Sequence, residues 1–279
     1  MTVTERLRVG LVTAYPPSQT TLNEYGYHLA RHLAAKPEVD ELVLFHDDVA
    51  DGVGDVPDGA RAVPAWRYGS LRNPVRIARA VRAADVDVVL VNAHFTSFGA
   101  TKVAAALGLF LPVLLRALGI PSIVLLHNLV DTVDLEKAGY SSSPLLTRIL
   151  SLAGSLVTRM VLAADKVCVT MPQYVDVLRT KYGARHVYLA PHGSFEEPDA
   201  IERDLLATPS LLAFGKWGTY KKVEVLLDAH ALLRSQGVDV EVVIAGTDSH
   251  NAVGYLDAIK RTYRDLPGVH FTGYVPEED

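Results

Sequence analysis

Three lysines, Lys216, Lys221 and Lys222, crowd one short stretch, "AFGKWGTYKKVEVLLDAH". The apolar run before them reads as a strand and the 3.6-period run after them as a helix, with Lys221 and Lys222 opening that helix. Such turns lie beyond the carboxyl ends of the strands in an open α/β sheet, where ligands bind. A helix N-terminus carries partial positive charge, so each lysine placed there is unfavourable by about 0.3–1 kcal/mol and an anion should compensate. A phosphate or diphosphate has the needed charge. The plainer reading is a solvated cluster of loop lysines; the strand-end position favours the anion site.

Other chemistry-bearing residues gather at strand ends. "VLLHNLVDT" closes an apolar run with His127 and Asn128, where a lone histidine is more often a structural hydrogen-bonder. The loop "YPPSQTTLNEYGYHLA" carries the hydroxyls of Thr20 and Thr21, and "APHGSF" places Gly193 where a tight turn would suit it. His28 and His32 share a helix face at i, i+4, but with no intervening glutamate and no evident third ligand they do not read as a metal site. Asp85-Val86-Asp87 precedes its strand, at the wrong edge for a ligand, and His46 to Asp48 reads as a solvated loop.

The totals narrow the function. The chain has 279 residues, 49% of them hydrophobic, enough for a large core and two domains. A net charge of -5 argues against a nucleic-acid binder that works by covering phosphates, while permitting a local basic pocket. The single cysteine, Cys168, cannot form an internal disulfide, and the N-terminus lacks the pattern of a secretory signal, so a cytoplasmic setting is expected. The apolar stretch 103–115, "VAAALGLFLPVLL", is too short for a bilayer, which needs roughly 20 residues. It suits a buried crossover helix broken near Pro112, or a surface that touches lipid; the helix from Pro144 to Leu162, with Arg148 and Arg159 and no acid, adds to the second option.

These residues must be positioned by an α/β framework. Apolar strands, "LRVGLVTAY", "ELVLFH", "VDVVLVNA", "PSIVLLHN", "KVCVT" and "HVYLAP", recur between helical segments, as in a parallel sheet covered on both faces. Thr21 and Glu24 stand at capping-box spacing, and Asn73-Pro74 offers a cap before a first-turn proline. The organisation expected is a first Rossmann-like domain over residues 1–193, a linker over 194–208 rich in charge and proline, and the start of a second such domain over 209–279. The closing "VPEED" reads as the first turn of a further helix, which implies a piece of a longer polypeptide.

"FGKWGTYKKVEVLLDA" resembles the opening of the C-terminal domain of retaining glycosyltransferases of family 4, enzymes of the GT-B fold with two facing Rossmann-like domains. The likeness continues through "VVIAGTDSHNAVGYLDAIK" and "GVHFTGYVPEED". It implies a GT-B fold whose second doubly wound domain is incomplete. It also implies that Gly215-Lys216 and Lys221 bind the diphosphate of a nucleotide-sugar donor, and that His127 faces the donor sugar as the catalytic residue. By the same resemblance Thr20, Thr21, Asn128 and Gly193 belong to the donor or acceptor loops. The sequence departs from the family pattern in three places: lysine for arginine at 216, lysine for glycine at 222, and Thr20-Thr21 where a glycine pair is usual.

The resemblance implies transfer with retention to a glycan, lipid-linked or small-molecule acceptor, with no metal and no cofactor beyond the donor itself. The family's two-glutamate motif lies beyond the stretch resembled here, so the 279-residue chain alone is expected to be inactive or nearly so. Two other readings stay open, a noncatalytic GT-B-derived binding protein and a nucleotide-sugar epimerase.

Overall fold

The computed structural model describes residues 6–129, 144–193, 208–219, 221–249 and 252–275. Packing divides the chain into two compact units, Met1–Phe195 and Glu196–Asp279. Residues 194–207 of the linker expected over 194–208, and residues 276–279 of the expected helical turn, lie outside the described residues.

Unit 1 is built on a seven-stranded parallel sheet of order β3-β2-β1-β4-β5-β6-β7. Its strands are β1 (Leu7–Val12), β2 (Val39–Asp47), β3 (Ala60–Trp66), β4 (Val88–Ala93), β5 (Ser122–Leu126), β6 (Lys166–Val169) and β7 (Val187–Leu189). Between them run α1 (Asn23–Ala34), α2 (Asn73–Ala84), α3 (Lys102–Gly108), α4 (Leu111–Ala117), α5 (Pro144–Val161) and α6 (Pro172–Tyr182). Side chains alternate across a strand, so β2 sends Val43 and Phe45 into one buried cluster with Ile77 of α2 and Leu115 of α4. It sends Leu42 and Leu44 into the opposite cluster with Ala30 of α1. Each fully buried large side chain contributes about 1.5–3 kcal/mol, which is why these strands read as continuous apolar runs.

One strand goes beyond the sequence reading, and three local expectations need correction. β3, "ARAVPAW", carries Pro64 and Arg61 and does not read as a strand; it is an edge strand, where proline costs little. The N-cap of α1 is Leu22 in left-handed conformation, with no side-chain cap, so the Thr21–Glu24 box does not form. The Asn73 side chain pairs with the Arg67 backbone, accepting from its N–H at 3.0 Å and donating to its carbonyl at 2.8 Å, instead of capping α2. Asp47, expected in a solvated loop, is 1% exposed. The break near Pro112 does occur, Pro112 standing at the start of α4, and Val103 and Leu107 stay exposed while Leu111 and Leu115 are buried.

Unit 2 carries β8 (Ser210–Phe214), α7 (Val223–Ser235), β9 (Glu241–Ala245), α8 (Tyr255–Thr262) and β10 (Val269–Gly273), the strands parallel in the order β10-β9-β8. Val242 and Ile244 of β9 pack with Val223 and Leu227 of α7 and with Leu256 and Ile259 of α8. Among the described residues no helix is long and apolar enough to cross a membrane.

Candidate functional site

In unit 1 the strand order reverses between β1 and β4, and side chains from both converge beyond their carboxyl ends. Thr13 follows β1, Asn92 belongs to β4, His94 follows it, and His127 follows β5. His127 Nε2 and Asn92 Oδ1 are 2.6 Å apart, and Asn92 Nδ2 donates to Thr13 Oγ1 at 2.9 Å. The imidazole meets the edge of the Tyr25 ring of α1 at 4.5 Å and stacks on His192 at 5.1 Å. Burial, aided by the nearby His192 and His94, pushes the His127 imidazole down to about 3. Burial likewise brings His94 down to about 4. Both rings are therefore neutral near pH 7 and serve as hydrogen-bonding groups, not cations.

Asp47 organises the loop after β1. Its Oδ1 accepts from the Tyr15 N–H at 3.2 Å, and its Oδ2 accepts from the Ser18 hydroxyl and, at 3.2 Å, from that of Thr20. Thr20 is thus turned inward, whereas Thr21 is exposed. Asn128 lines a small cavity against α5 with Leu129 and Val157, and His127 is not among the residues lining it. Gly193 is exposed, with open space around its Cα and no positive φ, so its backbone does not require glycine. Asp85 and Asp87 sit at the opposite edge, where Asp87 accepts from the Arg8 N–H at 2.7 Å and Asp85 faces the Arg8 guanidinium at 3.5 Å.

In unit 2 the β8–α7 turn brings Gly215, Lys221 and Trp217 together. The Lys221 ammonium lies 5.4 Å from the centre of the Trp217 ring, and a Cβ on Gly215 would come within 2.7 Å of it. Trp217 is itself held by its Nε1 donating to the Ala245 carbonyl at 2.9 Å. Gly246 is needed beside this turn, because a Cβ there would fall 1.9 Å from the Gly215 carbonyl oxygen. Lys216 is exposed on the same turn.

The lysines stand before α7 and do not open it: Lys222 is its N-cap residue, left-handed at φ 48°, and Lys221 belongs to the turn. The first amide of α7 is also already engaged, the Val223 N–H donating to the Tyr255 hydroxyl at 3.0 Å while that hydroxyl donates to Glu224. Positive charge at this turn therefore rests on the ammonium groups more than on unpaired helix amides. Asp248 caps α8 in the same manner, accepting from Gly254 and Leu256 at 2.6 and 2.9 Å.

Reading the sequence missed Asn92, Thr13, Tyr25 and Asp47. The strand ends "VNA" and "FHDD" placed Asn92 and Asp47 at the ligand-bearing edge, and that position was the available signal. Nothing in the sequence paired them with His127 or Thr20.

A doubly wound sheet with polar side chains converging at its strand-order reversal defines a Rossmann-like α/β protein, a class in which ligands bind at that edge. Residues 22–194 match the family described as Glycosyltransferase Family 4, and the chain belongs to that family. No curated protein matches it in sequence. Among solved structures it is similar to WaaG, a glycosyltransferase involved in lipopolysaccharide biosynthesis, at 13% identity and a TM-score of 0.61, over 97% of this chain and 71% of that one. It is similar to HepE of Anabaena in complex with UDP-glucose at 13% identity and a TM-score of 0.58, over 97% and 70%. A glycosyltransferase of Rickettsia africae matches at 12% identity and a TM-score of 0.59, over 97% and 69%. At such identities the likeness is one of fold, the GT-B fold of glycosyltransferases, and this chain spans about 70% of the length of those structures.

Proposed function

We propose that this chain is the greater part of a retaining glycosyltransferase that takes a nucleotide-diphosphate sugar and passes the sugar to a glycan, lipid-linked or small-molecule acceptor. The observation that carries the reading is the Lys221 ammonium held over the bare Cα of Gly215 and beside Trp217. As the glycosidic bond breaks, negative charge grows on the leaving diphosphate. An ammonium group already fixed in place stabilises that charge without reorganising, which is the main catalytic contribution available here. Lys216 adds a second charge from the same turn, and the scheme uses no metal and no cofactor besides the donor. His127, neutral, holds a hydroxyl of the donor sugar.

The test is calorimetric titration with UDP-glucose, the sugar nucleotide bound to HepE, followed by a panel of other nucleotide sugars. Combined Lys216→Ala and Lys221→Ala changes should weaken binding more than tenfold; an unchanged affinity would remove the diphosphate assignment. Retention is read from the anomeric configuration of the product. A nucleotide-sugar epimerase would turn over donor with no acceptor present.

A noncatalytic binding protein of the same family is the second reading. It is favoured by the burial of His127, whose Nε2 is engaged and whose Nδ1 is covered. Donor binding without transfer or hydrolysis in a protein spanning the full family length would establish it. The 279-residue chain alone is proposed to turn over little or no donor, on the support of the two-glutamate motif that its resemblance to the family does not reach; turnover by that chain would reject this. Cytoplasmic placement and peripheral membrane contact belong to the same proposal, supported by the exposed Leu152, Leu156 and Arg148 of α5, and vesicle co-sedimentation tests the contact.

A further inference from the structure

A line of hydrogen bonds runs from the backbone of the β1 loop to His127, and its direction is fixed at one end. The Ala14 carbonyl can only accept, so the Thr13 hydroxyl donates to it, at 3.0 Å. With its proton committed, Thr13 Oγ1 accepts from Asn92, which must present its amide nitrogen there, at 2.9 Å. The carbonyl end of Asn92 then faces His127 Nε2 at 2.6 Å and can only accept from it. The imidazole proton is thereby placed on Nε2. His127 Nδ1 keeps a lone pair, is buried, and has no hydrogen-bond partner among the described residues. Asn92 and Thr13 are each 2% exposed, so water does not compete along the line.

The α1 helix closes the far end. Gly26 packs so tightly on the same atoms that a Cβ would fall 2.3 Å from the Ala14 carbonyl oxygen and 2.5 Å from Thr13 Oγ1. The main chain of His127 is held as well, its N–H donating to the Ala93 carbonyl at 3.0 Å and its carbonyl accepting from the Thr170 hydroxyl at 3.4 Å.

We infer that Thr13 and Asn92 are positioning residues that lock His127 as the Nε2–H tautomer, so that Nδ1 can act only as a hydrogen-bond acceptor toward a hydroxyl of the ligand. The role given to Nδ1 rests on the proposed reading of His127 as a donor-sugar contact; the tautomer does not. A group that only accepts discriminates by chemistry: it takes a sugar hydroxyl and rejects a carbonyl or carboxylate oxygen at the same place. Because Nδ1 is covered, a ligand that reaches it must first displace a neighbouring side chain.

Long-range 1H–15N correlation spectra of the 279-residue chain labelled with 15N-histidine test the inference, with His127 assigned by its loss in a His127→Gln variant. The expected spectrum has the proton on Nε2 and an unprotonated Nδ1. Thr13→Val, which keeps the side-chain shape but frees Asn92 to turn over, should move both nitrogens toward the shifts of mixed tautomers. Thr13→Ser should restore the wild-type pattern. A wild-type His127 protonated on Nδ1 overturns the inference, and so does an unaltered spectrum in the valine variant. Should the valine variant not fold, Asn92→Asp replaces it: a carboxylate only accepts, so the Thr13 hydroxyl must turn toward it and the imidazole must keep its proton on Nε2, and a His127 protonated on Nδ1 alone in that variant counts against the relay. None of these spectra needs a donor. An Nε2–H imidazole in a chain that binds no nucleotide sugar would keep the tautomer and sink the proposed function, while the opposite pairing would do the reverse.

Discussion

The Lys221 ammonium stands 5.4 Å from the centre of the Trp217 ring, on a turn whose neighbouring strand end cannot accept a side chain. Trp217 both supports the charge and anchors the turn, since its Nε1 reaches the Ala245 carbonyl of β9. Replacing Trp217 by Phe removes that bond and weakens the cation–π contact, and should lower the stability of unit 2 by about 1 kcal/mol. Trp217→Ala leaves a cavity as well and should cost about 3–5 kcal/mol. Urea unfolding followed by a probe in unit 2 measures both, and equal effects for the two variants would argue against the anchoring role.

Tyr255 is the second support of this turn. Its hydroxyl accepts from the Val223 N–H and donates to Glu224, so Tyr255→Phe leaves the first amide of α7 without that acceptor. The expected loss is about 1–3 kcal/mol. Burial and the bond to Glu224 push Tyr255 up to about 12, and a bond to Asp228 with burial pushes Tyr263 up to about 12, both from 10.0. The folded chain therefore keeps protons that the unfolded chain releases above pH 10. Stability from these bonds is complete below pH 10 and is lost as pH rises toward 12. Unfolding midpoints taken from pH 9 to 11.5 should fall in the wild type and fall less in Tyr255→Phe.

How much of this was legible in the sequence depended on the range of the interaction. Continuous apolar strands announced the parallel sheet because burial on both faces leaves no other composition, and His127 and Lys221 fell at strand ends by simple succession. β3 was invisible for the converse reason: an edge strand tolerates Pro64 and Arg61, so its composition is that of a loop. The pairing of Asn92 with His127, and of Asp47 with Ser18 and Thr20, spans 35, 29 and 27 residues and follows from sheet order alone. Tyr255 over the start of α7, 32 residues from Val223, is of the same kind. It removed the free amide that the strand–turn–helix pattern had implied.

Asp47 offers a test within unit 1. Its carboxylate binds the Tyr15 N–H and the hydroxyls of Ser18 and Thr20 with almost no access to water. Asp47→Ala strands the Tyr15 N–H, 1% exposed, and should cost about 3 kcal/mol. Asp47→Asn keeps an acceptor for Tyr15 and forces only the hydroxyls to turn, so its cost should be near 1 kcal/mol. Denaturant unfolding of unit 1 distinguishes the two; a neutral alanine variant would show that the loop is held by other means.

The buried imidazoles should make unit 1 acid-sensitive in a window of their own. His127 and His94 are pushed down to about 3 and about 4 when folded, against 6.5 for an ordinary imidazole. Below pH 6.5 the unfolded chain takes up protons that the folded chain refuses, so their contribution to stability is complete above 6.5 and is lost as pH falls toward 4 and then 3. Carboxylates held low by arginines, Glu41 by Arg61 and Asp48 by Arg67, lose their contribution only below their ordinary values of 4.5 and 3.8. The interval from pH 7 to 5 therefore isolates the imidazoles from that group. Unfolding free energy of unit 1 should decline across it in the wild type, and a chain carrying His94→Gln and His127→Gln should show a flatter profile whatever its absolute stability. The slope is the decisive quantity: a double variant that declines as steeply as the wild type would mean that these rings are charged in the folded protein, and a charged His127 could not keep the lone pair assigned to its Nδ1.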